Sequence, residues 1–308
     1  MCTSNMEKIS GFSLVRNGVR FDYPFLESLR SLLPVVDELV LNVGIGDDET
    51  LEWCRRFAQD EGAGKVKIFE SRWPLDHPEK KKSGIILSEQ TNLALEQCEN
   101  DWCLYLQADE VLHEEDYPLI RKAVDYAADQ GLEAVVFCYR HFYGSFNVIQ
   151  ESRSAYRREM RLIRKSSGAR SVGDAQSFRK PDGSKLDAVL SRARIFHYGW
   201  VRTPEAMREK THFMDQLYHG DSGTGKPLPH TGTNYRYKRF WGLFIYRGTH
   251  PRVMQKRILE KGWNWDLQSS PFVFSFKDIS KILLDAIERL SGVRLFEFRN
   301  YRLKAVLD

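Results

Sequence analysis

The sequence lacks the features that mark secreted, membrane-spanning and zinc-binding proteins. Its five cysteines are odd in number and form no Cys-x-x-Cys pair, which argues against a disulfide framework or a zinc ribbon and favours a reducing cytoplasm. No stretch approaches the roughly 20 apolar residues of a membrane span, and residues 1–10 lack the apolar core of a signal peptide. There is no low-complexity tract and no repeat of fixed period. We therefore expect a globular cytoplasmic protein.

Positive charge is concentrated in the middle of the chain. The 308 residues carry a net charge of +4, and residues 151–200 hold 12 Lys and Arg against 5 Asp and Glu. Such a basic stretch can bind phosphate, nucleic acid or an anionic membrane surface, or it can be a solvated face. The stretch contains no recognisable nucleic-acid-binding module, so we expect no nucleic-acid partner.

Short apolar runs alternate with amphipathic segments over the first 140 residues. Alternation of this kind implies right-handed βαβ units around a mostly parallel sheet that is flanked by helices. The sequence therefore predicts an α/β fold. The predicted strands are 9–15, 38–43, 65–69, 102–107 and 134–139, and the predicted helices are 23–33, 49–59, 85–97 and one between 116 and 131.

The pattern changes after residue 140. Residues 141–200 predict irregular or antiparallel structure, whereas 204–218 and 277–290 predict helices. Residues 219–234 are rich in Gly, Pro and Ser and predict a surface loop. Because no linker separates these segments, we expect one domain, with an α/β half at 1–140, a continuation at 141–218 and a mixed α+β elaboration that ends in a loop and helices at 219–308.

Polar residues follow three of the predicted strands. They are Arg16 and Asn17, Asp47 and Asp48, and the stretch QADE at 107–110. Open α/β sheets bind ligands outside the carboxyl ends of their strands. Carboxylates there suit Mg²⁺ or Mn²⁺, which can neutralise a departing diphosphate. The alternative is that the aspartate of QADE only begins a turn.

Three stretches resemble, in order, the family 2 glycosyltransferases, which have the GT-A fold. ISGFSLVRNG at 9–18 is similar to the first strand and its nucleotide-contacting end, and DELVLNVGIGDDET at 37–50 to the second strand and its acidic turn. NLALEQCENDWCLYLQADEVL at 92–112 is similar to the helix and strand that lead into the Asp-x-Asp metal motif. The resemblance covers about residues 8–140. Gln107 stands where that motif has its first aspartate.

The resemblance implies an inverting transfer of sugar from a nucleotide-activated donor to a hydroxyl acceptor, dependent on Mn²⁺ or Mg²⁺. By analogy the reaction belongs to surface glycan synthesis, and the acceptor is a glycan or a lipid-linked glycan. Residues 1–140 then bind the nucleotide sugar, and 141–218 form the acceptor and catalytic part. Two alternatives stay open, a nucleotidyltransferase and a non-catalytic protein that binds a nucleotide or polyanion.

The same resemblance suggests which residues meet the donor. Gln107 is neutral and can hydrogen-bond a ribose or a metal-bound water. Asp47 and Asp48 can instead be helix caps, and Asn17 can belong to an ordinary turn. The residues expected to bind the nucleotide are Ser13, Val15, Asn17, Asp47, Asn92 and Gln107.

Metal ligation and base catalysis require further residues. Asp109 is the expected direct metal ligand, with Glu110 orienting the turn. His197, in ARIFHYGWVR, resembles the distant histidine that completes the metal shell in many GT-A enzymes, and a structural histidine is the alternative. Asp174, in SVGDAQSF, is our candidate for the general base. Its rivals are Asp187 and Glu151, and each of the three can instead be a surface acid.

Aromatic residues suggest where the acceptor lies. In YRHFYGSFN, at 139–147, His141 and Tyr143 are candidates for acceptor binding, with core packing as the alternative. The stretch 236–254 interleaves aromatic residues with Arg and Lys. It predicts either peripheral contact with the inner membrane surface and a lipid-linked acceptor, or a packed C-terminal subdomain.

Overall fold

A computed structural model describes residues 6–220, 235–263 and 265–307. The predicted loop at 219–234 therefore lies outside the described residues from 221 onward. The strands are β1 Ile9–Val15, β2 Glu38–Gly44, β3 Val66–Ser71, β4 Trp102–Tyr105, β5 Glu110–Leu112, β6 Ala134–Tyr143, β7 Ser145–Gln150, β8 Arg158–Arg164, β9 Arg170–Val172, β10 Ser177–Arg179, β11 Asp187–Trp200, β12 Leu243–Ile245 and β13 Arg302–Val306. The helices are α1 Phe25–Leu32, α2 Thr50–Asp60, α3 Ile85–Glu96, α4 Tyr117–Asp129, α5 Pro204–His219, α6 Gln255–Glu260 and α7 Phe276–Ser291.

One 11-stranded sheet organises the described part of the chain. Its main path runs β12-β7-β6-β8-β4-β1-β2-β3, and β11 joins it beside β6 and carries β5 and β13. The pairs β1–β2, β1–β4 and β2–β3 are parallel, whereas β8 is antiparallel to β4 and β6. Among the described strands of this sheet, β5, β7 and β8 run opposite to the rest. The predicted α/β fold with a mostly parallel sheet is confirmed.

Burial explains why the first elements form. Every residue of β1 and β2 is buried, as expected for parallel strands covered by helices on both faces, and their sequences are accordingly near-continuous apolar runs. Helix α4 buries Ile120, Ala123, Val124 and Ala127, the stripe that a 3.6-residue period places on one face.

The sheet continues through the second half of the chain. β6 crosses residue 140, and β13 pairs with β11 near the C-terminus. The prediction of antiparallel structure at 141–200 holds for β7 and β8. It is wrong for most of β11, which pairs parallel with β6. The physical reason is that the β9–β10 hairpin and a loop separate β8 from β11, so that β11 can enter beside β6 in the same direction.

The register of β11 assembles the site. His197 lies opposite Glu110 of β5 on one side and opposite His141 of β6 on the other. Side chains that are far apart in sequence therefore meet at one end of the sheet. Among the described residues, no helix has the length and apolar character that crossing a membrane requires.

Candidate functional site

A central cavity of about 430 Å³ opens where β1 and β4 end and α5 packs across them. Aromatic and apolar side chains form much of its wall, and a small number of polar groups converge inside it, as is usual for ligand sites. The phrase "central cavity" denotes this space below. Its polar and charged lining residues are Arg16, Gln107, Asp109, Asp174, Gln176, His197, Lys210 and Thr211.

The turn that follows β4 presents Asp109 to this cavity. The backbone N–H of Glu110 donates to the carbonyl of Gln107 at 3.0 Å, and the N–H of Gln107 donates to Glu110 Oε2 at 3.0 Å. Glu110 itself is fully buried and receives two hydrogen bonds from Arg161. Glu110 thus orients the turn, as the sequence predicted, and does not line the central cavity.

Asp109 is a buried carboxylate beside two side-chain cations and one histidine. Lys210 Nζ lies 3.0 Å from Asp109 Oδ2, Arg202 Nη2 lies 4.0 Å from the same oxygen, and His197 Nε2 lies 3.7 Å from Oδ1. Burial on its own raises the pKa of Asp109, but Lys210, His197 and Arg202 together lower that pKa well below its usual value. Burial also lowers the pKa of Lys210, to about 8. Asp109 is therefore ionised at neutral pH.

The hydrogen bonds of His141 and His197 indicate which ring nitrogen of each histidine carries its proton. His141 Nε2 lies 2.6 Å from the carbonyl oxygen of Tyr156, and His141 Nδ1 lies 3.0 Å from His197 Nδ1. Burial lowers the pKa of His141 to about 3 and lowers the pKa of His197 as well. A carbonyl only accepts, so neutral His141 carries its proton on Nε2 and accepts at Nδ1. His197 then donates from Nδ1, which leaves the Nε2 lone pair directed to the side of Asp109.

The carboxylate of Asp109 and the free ring nitrogen of His197 together fit a divalent cation. A metal-ligating histidine characteristically donates its second ring N–H to a fixed acceptor, and His197 does so to His141. Gly199 keeps the space open, because a Cβ there would lie 2.5 Å from His197 Nε2 and 3.0 Å from Asp109 Oδ2. The described residues contain no group of three His, Cys, Asp or Glu side chains that could hold a metal. A cation would therefore take its remaining ligands from water and substrate phosphates, as Mg²⁺ usually does.

Replacing Gly199 with alanine should abolish stabilisation by Mn²⁺, because the new methyl group would occupy the space beside His197 Nε2. Thermal unfolding with a nucleoside diphosphate, with and without Mn²⁺, measures the effect. Gly262→Ala is the matched control, since a Cβ at Gly262 meets nothing within 4 Å. A Gly199→Ala protein that keeps the full Mn²⁺-dependent shift would show that no cation binds between Asp109 and His197.

Asp174 also lines the central cavity. It lies in the tight turn between β9 and β10, where the backbone at Gly173 and Ala175 has positive φ. The hydroxyl of Tyr218 donates to Asp174 Oδ2 at 2.9 Å. Among the described residues, Asp174 and Asp109 are the carboxylates that line this cavity, and Asp174 has no ion pair within that part of the chain.

The two rivals of Asp174 lie elsewhere. Asp187 begins β11 and is paired with Arg302 and Lys304. Glu151 is exposed and lies 3.6 Å from Arg140. Neither side chain lines the central cavity.

The residues expected to bind nucleotide are not all brought together. Val15 and Gln107 line the central cavity. Ser13 is buried and does not line the cavity, and its hydroxyl donates to the carbonyl of Leu106 at 2.7 Å. Asn92 lies on α3 away from the cavity, where its amide is hydrogen-bonded to the backbone of Ser171.

Asn17 and Asp47 line an adjoining outer cavity of about 710 Å³. Their side chains are hydrogen-bonded to each other, and the N–H of Asp47 donates back to Asn17 Oδ1 at 3.1 Å. Asp48 instead accepts from the N–H of Thr50, the first residue of α2, at 3.0 Å. The N-cap of α2 is Glu49, whose side chain makes no capping hydrogen bond. The outer and central cavities share Arg16, Phe21 and Phe213.

His141 and Tyr143 line a lateral cavity of about 380 Å³ on the other side of the site. The phrase "lateral cavity" denotes this space below. Tyr156, His197 and Trp200 belong to the walls of both the central and the lateral cavity. The candidate metal ligand His197 thus lies at the boundary between two spaces that could hold two substrates.

The stretch 236–254 is packed in part, although Phe244 and Ile245 of β12 are exposed. Tyr237 contacts the ring of Tyr143 at a centroid distance of 5.3 Å, Tyr246 contacts Phe142 at 5.0 Å, and β12 extends the sheet beside β7. Of the two interpretations, these contacts favour the packed subdomain.

Sequence reasoning missed Lys210 and Arg202. Arg202 closes the quoted stretch ARIFHYGWVR, and Lys210 follows two turns into α5. One signal could have found Lys210, since Met207, Lys210, Thr211 and Met214 recur at helical spacing and share the face of α5 that lines the cavity.

Comparison with known proteins gives partial structural matches only. No family model matches the chain, and no curated protein does. TarS of S. aureus is 14% identical with a TM-score of 0.38, over 67% of this chain and 39% of TarS. A mannosyltransferase of Pyrobaculum calidifontis, solved with GDP-Man and Mn²⁺, is 19% identical with a TM-score of 0.33, over 44% of this chain and 36% of that one. GalNAc-T7 with UDP, GalNAc and Mn²⁺ is 12% identical with a TM-score of 0.41, over 67% and 48%. The chain thus spans less than half the length of each of these proteins.

Proposed function

We propose that this protein is a glycosyltransferase that moves a sugar from a nucleotide-activated donor to a hydroxyl group of an acceptor. The observation that carries the proposal is the juxtaposition of Asp109 and His197 between two cavities. Oδ1 of an ionised carboxylate and a histidine nitrogen lie 3.7 Å apart, and His197 borders both spaces. A phosphate-binding cation held there would lie beside both substrates.

The arrangement suggests a single displacement. The donor occupies the central cavity, and the acceptor occupies the lateral cavity beside His141, Tyr143 and Trp200, whose rings can stack on a sugar. The reacting hydroxyl of the acceptor extends past His197 into the central cavity, which Asp174 lines. The acceptor oxygen attacks the anomeric carbon from the side opposite the diphosphate. A bond forms from that oxygen to carbon, and the carbon–diphosphate bond breaks with its electron pair on the departing oxygen. Attack from the opposite side inverts the anomeric centre.

Asp174 is the proposed general base. It accepts the proton of the attacking hydroxyl, and the hydrogen bond from Tyr218 holds its carboxylate in place. Asp109 and His197 would hold Mn²⁺ or Mg²⁺, which when bound supplies positive charge to the leaving diphosphate. The glycan or lipid-linked nature of the acceptor and the place of the reaction in surface glycan synthesis rest on the sequence resemblance and remain predictions.

A thermal-shift screen tests the proposal. The wild type and Asp109→Asn are heated with UDP, GDP, CMP, ADP or dTDP, each with Mn²⁺ or with EDTA. A nucleotide at about 100 times its dissociation constant should stabilise the fold by roughly 2.7 kcal/mol. We expect one base to stabilise the wild type with Mn²⁺, and this Mn²⁺-dependent gain to be lost in Asp109→Asn because the ligand oxygen is replaced.

The outcomes separate the alternatives. Sugar transfer from the selected donor, seen as release of nucleoside diphosphate on addition of acceptor glycans, supports the transferase. Release of pyrophosphate from a nucleoside triphosphate would instead indicate a nucleotidyltransferase. If no nucleotide stabilises the protein under any condition, the proposed function is wrong, and a polyanion-binding protein is the remaining hypothesis.

A further inference from the structure

Lys210 is a cation in the wall of the central cavity. Its ammonium group donates to Asp109 Oδ2 at 3.0 Å and to the carbonyl of Gly199 at 2.9 Å. An ammonium group has three N–H donors, and within the described residues these two acceptors are its partners. Its side chain is 15% exposed, so the third donor can reach a molecule in the cavity.

Neutralising Asp109 does not by itself require Lys210. The guanidinium of Arg202 is fully buried 4.0 Å from Asp109 Oδ2, and none of its three nitrogens has a hydrogen-bond partner within the described residues. Arg202 and Lys210 also lie over the ring of Tyr23, at 4.7 and 5.0 Å from its centroid. Two side-chain cations therefore face one carboxylate, which leaves an excess of positive charge beside the cavity.

This excess of positive charge coincides with a missing negative charge in the turn after β4. Gln107 is neutral at the position where the resembling motif has a carboxylate, and one fewer negative charge weakens the attraction for a divalent cation. The carboxylates Asp109 and Asp174 and the cations Arg16 and Lys210 line the cavity. With Arg202 buried beside Asp109, these groups sum to one positive charge, which attracts a polyanion even before a metal binds. Of the two cations beside Asp109, Lys210 lines the cavity and Arg202 does not.

We propose that Lys210 is a fixed cation for the leaving diphosphate, so that its ammonium group donates a hydrogen bond to a β-phosphate oxygen while Asp109 and the carbonyl of Gly199 hold it in place. This role rests on the proposed function. When the carbon–oxygen bond breaks, the electron pair stays on the diphosphate oxygen. Lys210 stabilises that charge by its hydrogen bond and keeps its proton.

Binding measurements in EDTA isolate this contribution. Calorimetry compares the pairs UDP and UMP, GDP and GMP, ADP and AMP, and dTDP and dTMP on the wild type, Lys210→Met, Lys210→Arg and the control Lys256→Met. Lys256 is 83% exposed and lies on the short helix α6. We expect the wild type and the control to bind one diphosphate about tenfold more tightly than its monophosphate, a difference of about 1.4 kcal/mol. Lys210→Met should bind the two equally, and Lys210→Arg should keep most of the preference because it keeps the charge.

Each other outcome overturns the inference. A diphosphate preference in Lys210→Met within twofold of the wild type would show that Lys210 does not meet the β-phosphate. A wild type that binds diphosphates only with Mn²⁺ would show that the metal alone recognises them, while the proposed transferase would stand. If Lys210→Met fails to fold, Lys210→Arg and Lys210→Gln are compared instead. An equal preference for diphosphate over monophosphate in these two variants would exclude a role for the charge. No binding of any nucleotide, even with Mn²⁺, would mean that the proposed function itself is wrong.

Discussion

Replacing Asp174 with asparagine should lower kcat for sugar transfer by about 10²- to 10⁴-fold, the range that a positioned general base contributes. Asparagine keeps the shape of the side chain and can still accept the hydrogen bond from Tyr218, but its amide does not take up the hydroxyl proton. The affinity for the nucleoside diphosphate should change little, because the base meets the acceptor. Steady-state kinetics with the donor selected in the thermal-shift screen, together with calorimetry, measures both quantities.

The rival carboxylates provide the controls. Asp187→Asn and Glu151→Gln should each keep kcat within about twofold, since both side chains lie away from the central cavity, Asp187 in ion pairs with Arg302 and Lys304 and Glu151 beside Arg140. An Asp174→Asn enzyme with normal kcat would exclude Asp174 as the base. A large loss in either control would move the assignment to that residue.

Replacing Arg161 with methionine should destabilise the fold by about 3–5 kcal/mol, the usual cost of leaving one member of a buried ion pair without its partner. Arg161 and Glu110 are both fully buried. The guanidinium makes two hydrogen bonds to Glu110, at 2.9 and 2.8 Å, and the hydroxyl of Tyr139 donates to the same carboxylate at 2.8 Å. Urea unfolding monitored by circular dichroism gives the free energy of unfolding of the wild type and the variant.

An ion pair on the protein surface serves as the comparison for the buried pair of Arg161 and Glu110. Arg56 is paired with Glu52 on α2, and their side chains are 70% and 58% exposed, so Arg56→Met should cost no more than about 1 kcal/mol. Equal costs for Arg56→Met and Arg161→Met would show that the Glu110 pair does not support the turn. The double variant Glu110→Gln with Arg161→Met should be more stable than Arg161→Met alone, because no uncompensated charge stays buried.

Local sequence was sufficient for most helices and strands of the first 140 residues. The apolar run 9–15 matches β1 at both ends, and the predicted helix at 85–97 agrees with α3 within one residue. β1 follows from a continuous apolar run, which is typical of a strand buried on both faces, and α4 follows from an apolar stripe with a 3.6-residue period. The three-residue strand β5 was missed because Glu110–Leu112 is too short for any periodicity. The direction of β11 was also missed, since pairing partners depend on topology.

The candidate site residues also include some that local sequence indicated correctly and some that it did not. Gln107 and Asp109 were selected because polar residues at the end of an apolar run mark the carboxyl edge of a parallel sheet. Val15 was selected because it ends the strand that resembles a nucleotide-contacting one. All three line the central cavity. Asn92 was chosen for its place in a resembling segment, yet it lies on a turn of α3 that is hydrogen-bonded to Ser171. The position of a residue along a helix does not show which neighbouring group its side-chain amide will contact.

By itself, the sequence determined the α/β class, the order of the first elements and the carboxylate at the end of β4, because each depends on residues close together in the chain. Only the tertiary structure decided which distant groups surround that carboxylate. The register of β11 brings His197 beside Glu110 and His141, and the packing of α5 directs Lys210 onto Asp109. Contacts of this kind depend on how elements pair and pack in three dimensions, and no local pattern of residues encodes them.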